Sequence, residues 1–115
     1  MYDYFKKTPV DEEFYSERIK GRLPKNLVDA HAHFNLPEHI KNITAEEVAE
    51  DWALESGMLM PYEDAQAYTK TLLPDQNVRF ICLPWPLRNA DTVGNNRYID
   101  SLVTTHGERG LFTNR

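Results

Sequence analysis

The chain has 115 residues, 41% hydrophobic and 27% charged, which fits one ordinary globular domain. With 13 basic and 18 acidic side chains the net charge is -5 and no Lys/Arg cluster stands out, so nothing electrostatic argues for a nucleic-acid partner. One cysteine, Cys82, excludes an internal disulfide and points to a reducing compartment, and no run approaches the roughly 20 apolar residues of a membrane span.

The start, Met1 to Lys7, lacks the apolar core of a signal peptide, so a cytoplasmic protein is expected. Residues 1–24 read as a lead-in segment that packs on a larger body. Within it, Asp11 to Lys20 is expected to form a short helix with Phe14, Tyr15 and Ile19 as its apolar positions. Residues 25–115 read as the α/β domain proper.

Asn26 to His33, preceded by Pro24, reads as the first strand. Alternation places Leu27, Asp29, His31 and His33 on one face, and Val28, Ala30 and Ala32 on a second face suited to a helix cover. Thr44 with Glu47 forms a capping box that opens a helix. Ala45, Val48, Ala49, Trp52, Ala53 and Ser56 fall at helical spacing, which predicts one continuous helix with Trp52 in the core and Gly57 as a left-handed C-cap.

Met58 to Pro61 leads into a second helix, from near Pro61 to Leu73, which Pro74 stops. Val78 to Leu83 is nearly continuous and apolar, as a buried parallel strand is, and Pro84-Trp85-Pro86 ends it. A last helix is expected from about Asn95 to His106, burying Tyr98, Ile99, Leu102 and Val103 before Gly107. Gly110-Leu111-Phe112 begins a third strand. Strands alternating with helices imply a parallel sheet with right-handed crossovers.

Chemistry concentrates at Asp29 to His33. Two histidines two apart on a strand share a face, roughly 7 Å apart along the chain, and both rings can tilt toward one ion. Neutral imidazole is a favoured zinc ligand. The pair stands at the C-terminal end of its strand, the end where barrels and open parallel sheets build active sites. Asp29, one step back, is placed to accept a hydrogen bond from a histidine ring and orient it.

Leu27-Val28-Asp29-Ala30-His31-Ala32-His33-Phe34 resembles the end of the first barrel strand in the amidohydrolase superfamily, within it the group of metal-dependent hydrolases and non-oxidative decarboxylases. The resemblance implies an α/β fold, the opening portion of a (β/α)8 TIM barrel, in which His31 and His33 bind a divalent metal, often zinc. It implies a metal-dependent hydrolase whose activated water attacks a carbonyl or related carbon of a small-molecule substrate, or a related decarboxylation. Members take further ligands from the fifth, sixth and eighth strands, and usually a general base from the last. Those strands have no counterpart here, so the catalytic residue is unassigned. A complete barrel takes about 250 residues, so the expectation is an incomplete barrel of about two and a half strand–helix units, inactive alone. A fragment, a truncated frame and a remnant stay open, as do a homo-oligomer and a missing remainder of the barrel supplied separately.

Trp85 and Arg88, in the loop after the second strand, would border the pocket, and an arginine there suits a substrate carboxylate. Cys82 reads as a buried small hydrophobe. His106, in the last turn of its helix, reads as structural. His39 reads as a solvated loop residue near the pair. Two alternatives accompany this reading. One is a phosphoesterase of the polymerase-and-histidinol-phosphatase type, whose Asp-x-His-x-His usually continues into Ser or Thr where Phe34 stands. The other is a non-catalytic α/β remnant or interaction module.

Overall fold

The computed structural model describes residues 6–57 and 59–113. Residues 1–5, Met58 and residues 114–115, and the side-chain position expected of Ser56, lie outside what is described.

The helix of the lead-in begins at Pro9, two residues before the expected Asp11. Thr8 caps α1 (Pro9–Phe14): its hydroxyl accepts the Asp11 N–H at 3.3 Å, and the Asp11 carboxylate accepts the Thr8 N–H at 2.7 Å. The chain then widens into a π-helical stretch, Tyr15–Ile19, closed by the Lys20 N–H donating to the Tyr15 carbonyl at 2.8 Å. Of the expected apolar positions Tyr15 is buried and Phe14 is exposed. The Tyr15 hydroxyl lies 2.8 Å from Asp75 and 3.1 Å from Gln76, which docks the segment on the far end of the domain.

Among the described residues, three strands form one parallel sheet in the order β1 (Asn26–His33), β2 (Asn77–Leu83), β3 (Arg109–Gly110). Between the first two lie α2 (Pro37–Ile40), α3 (Ala45–Glu50), α4 (Trp52–Gly57) and α5 (Tyr62–Leu72). Between the last two lies α6 (Thr92–His106). The third strand ends before Leu111 and Phe112, which stay exposed.

The core sits on one face of the sheet. Phe80 and Cys82 of β2 point the same way and meet Tyr62 and Ala65 of α5, Ile99 and Leu102 of α6, and Phe34 just past β1. Phe34, Tyr62 and Phe80 pack edge to face, with ring centroids 5.2–5.8 Å apart. Both crossover helices therefore cover the same face, and strand order follows chain order. On the other face, Val28 is 64% exposed.

Two expectations about local structure are corrected. The helix from Thr44 opens on its capping box, with the hydroxyl taking the Glu47 N–H at 3.2 Å. It breaks at Asp51, whose backbone is extended and whose carboxylate accepts the Ala53 N–H at 2.9 Å. An aspartate offers the backbone this local alternative to a helical bond. The restart as α4 turns Trp52 outward, 80% exposed rather than core. Gly57 lies within α4, without the left-handed conformation expected of it. Gly107 does cap α6 in that conformation, at φ 65°.

The second correction concerns β1. Asp29 pairs with Phe80 but Ala32 with Cys82, so three steps on β1 match two on β2. This is a bulge at Ala30 and His31. It turns Ala32 onto the core face, while Val28 and Ala30 stay exposed instead of lying under a helix.

Candidate metal centre

His31 and His33 come together at the C-terminal end of β1, as their spacing requires. Their Nε2 atoms stand 3.0 Å apart, with ring centroids 5.0 Å apart and planes tilted by 56°. Zinc binds imidazole nitrogen at about 2.0–2.1 Å, so two nitrogens at that separation would subtend roughly 95° at a shared ion.

The orientation of His33 is fixed from its other nitrogen. Nδ1 lies 2.9 Å from the carbonyl oxygen of Pro84, the residue that ends β2. A carbonyl can only accept, so Nδ1 carries the proton and the Nε2 lone pair is left to accept the His31 Nε2–H at 3.0 Å. A metal-bound histidine uses this same arrangement, a backbone carbonyl setting tautomer and ring direction. The Trp85 ring packs on His33 at 4.9 Å and limits its rotation.

Asp29 has a different job from the one its spacing suggests. Its carboxylate accepts the backbone N–H of His31 at 3.0 Å, which shapes the bulge. It pairs with Phe80 and His33 with Leu83, an odd number of residues on, so the register sets the two on opposite faces. Pro84, not Asp29, orients a ring.

Two buried asparagines hold the loops that carry these groups. Asn95, wholly buried, donates from Nδ2 to the Phe34 carbonyl at 2.8 Å and accepts the Trp85 N–H at 2.9 Å, tying the ends of β1 and β2 together. Asn35 accepts the Met60 N–H at 2.9 Å through its side chain, and its own N–H reaches the Met60 carbonyl. Sequence reasoning missed both. The only signal was their position just past a strand and just inside a helix.

A cleft of about 330 Å³ opens beside His33, bordered by Asp29, His33, Phe34, Met60, Tyr68 and Trp85, and His31 is not among its lining residues. Arg88 is exposed in the following turn and is not among the residues lining the cleft. His39 is buried, not solvated: Nδ1 accepts the Leu36 N–H at 3.0 Å, and burial lowers its pKa. Cys82 faces the core, and burial pushes its thiol up to about 12. The His106 ring lies against Tyr62 at 4.5 Å.

Among the described residues, no group of three or more His, Cys, Asp or Glu side chains is arranged to hold a metal. No protein-family model, curated protein or solved structure matches the chain. Among the described residues, no helix is long and apolar enough to cross a membrane.

Proposed function

We propose that His31 and His33 are metal ligands at the mouth of an amidohydrolase-like hydrolase, with the sheet forming the opening portion of a (β/α)8 barrel in a cytoplasmic protein. The observation that carries this reading is the convergence of the two Nε2 atoms at 3.0 Å while Pro84 holds the proton of His33 on Nδ1. Sequential strand order with the crossover helices α5 and α6 on one face supports the barrel part, since a doubly wound sheet reverses its order and places helices on both faces.

A divalent cation such as zinc would supply acidity to a bound water and polarise a carbonyl. The residues of this chain do the rest that can be assigned. His31 and His33 bind through Nε2, and Pro84 and Trp85 fix the His33 ring. Phe34, Met60 and Trp85 give the cleft beside His33 an apolar lining. The substrate in this reading is a small molecule with a hydrolysable carbonyl. No residue of the chain is assigned as general base.

The test is calorimetric titration with zinc of the chain and of the His31→Ala/His33→Ala variant. Micromolar binding that the variant loses is the expected result. Equal binding by both proteins would overturn the assignment.

A further inference from the structure

We propose that the cleft beside His33 binds a small organic cation, an apolar or aromatic group carrying a protonated amine, with the amine at Asp29. As a binding site this stands on the cleft. As the seat of a substrate's non-reacting end it rests on the reading of His33 as a metal ligand, and the substrate is then an amide or ester that bears an amine.

The cleft follows from how β1 is covered. Asp29 pairs with Phe80, so the register puts both on the face that the helices cover. Tyr62 and Ala65 of α5 pack on Phe80 of β2, while β1 is the outer strand among the described residues. The helix thus stands over β2 and leaves space beside β1. Ala65, Tyr68 and Thr69 fall at i, i+3 and i+4, one stripe of α5, and all three line that space. Its volume of about 330 Å³ lies within the roughly 300–1,000 Å³ of small-molecule sites.

The lining sets the chemistry of the ligand. Phe34, Met60 and Phe80 make an apolar wall, and Tyr68 and Trp85 are half-buried, with ring surface left to meet a ligand. Among the described residues of the lining, Asp29 is the only Asp, Glu, Lys or Arg, and it is exposed. One of its oxygens accepts the His31 N–H at 3.0 Å, which holds the carboxylate in place. A carboxylate at the rim of a ring-lined cleft favours a cation twice, through charge pairing and through cation–π attraction. An anion would meet the same carboxylate on a chain of net charge -5.

Phenethylammonium, phenethyl alcohol and phenylacetate share a ring and differ in charge, and amide-resolved NMR titration of the full chain with each tests the proposal. The ammonium is expected to move the amide signals of Asp29, Ala65 and Thr69 and the indole signal of Trp85. It should bind about three- to tenfold more tightly than the alcohol, with phenylacetate weakest. Asp29→Asn keeps an oxygen for the His31 N–H. That variant should bind the ammonium no better than the alcohol and leave alcohol binding unchanged, with thermal unfolding checking that it folds. Equal binding of all three probes overturns the ligand class, and no movement at the cleft with any of them overturns the site. Zinc titration separates this from the metal reading. Cleft binding in a chain that binds no zinc upholds the site and removes the hydrolase, whereas zinc binding through His31 and His33 without cleft binding does the reverse. Movement of the same signals on concentrating the chain alone gives the cleft to a second copy and overturns the proposal.

Discussion

Replacing Asn95 by alanine tests the link between the loops and the candidate site. The side chain is wholly buried and makes two hydrogen bonds to backbone groups of Phe34 and Trp85. Asn95→Ala strands the carbonyl of Phe34, a residue 1% exposed, at a cost of about 1–3 kcal/mol for an unsatisfied buried group. The Trp85 N–H is half-buried and water can reach it, so its loss costs about 0.5–1.5 kcal/mol. The sum, about 1.5–4.5 kcal/mol, is a large share of the roughly 5–15 kcal/mol that holds a domain folded. Urea unfolding followed by tryptophan fluorescence measures it. Because Trp85 also packs on His33, the variant should bind zinc more weakly than the parent even at urea concentrations where both remain folded. A midpoint shift worth less than about 0.5 kcal/mol, the size expected of an ordinary surface change, would refute the view of Asn95 as the tie between the two strand ends.

Glu108 offers a second test. Its burial alone would raise its pKa, but the Phe80 N–H at 3.0 Å, the Tyr62 hydroxyl at 2.7 Å and Arg79 at 3.1 Å together hold it below its ordinary 4.5. A carboxylate with a depressed folded pKa stabilises above the unfolded value, and that contribution is lost as pH falls through the folded value. Stability should therefore drop on acidification below about pH 4.5. Glu108→Gln should lose about 2–3 kcal/mol at pH 7 and show a shallower acid slope, since an amide N–H must then face one of these donors; parallel acid profiles for the two proteins would contradict the assignment. Cys82, buried with its thiol pushed up to about 12, should resist alkylation in the native protein and react only as fast as the chain opens. Labelling at the rate of a free thiol at pH 8 would show that the core face of β2 is not covered.

Features that depend on a few neighbouring residues were legible before any fold was known. The bounds of β1 follow from Pro24 and the run from Asn26 to His33. The Thr44–Glu47 box and the Gly107 cap each close on groups within a turn. The spacing of two between His31 and His33 predicts that their rings meet, and their centroids stand 5.0 Å apart. Sequence periodicity also gave the parallel α/β order of strands and helices.

Tertiary structure decided whatever depends on partners far along the chain. Asn95 meets a carbonyl 61 residues away and Asn35 an N–H 25 away, so neither bond has a local signature. Glu108 becomes a buried carboxylate only because β3 brings it beside Phe80, Tyr62 and Arg79. His39 leaves solvent because α6 packs over it, with Tyr98 at 5.7 Å. The role of Asp29 changed for the same kind of reason. Alternation alone puts it with the histidines, but pairing with β2 inserts one extra residue between them. A register shift is set by the neighbouring strand, and it reverses every face beyond it.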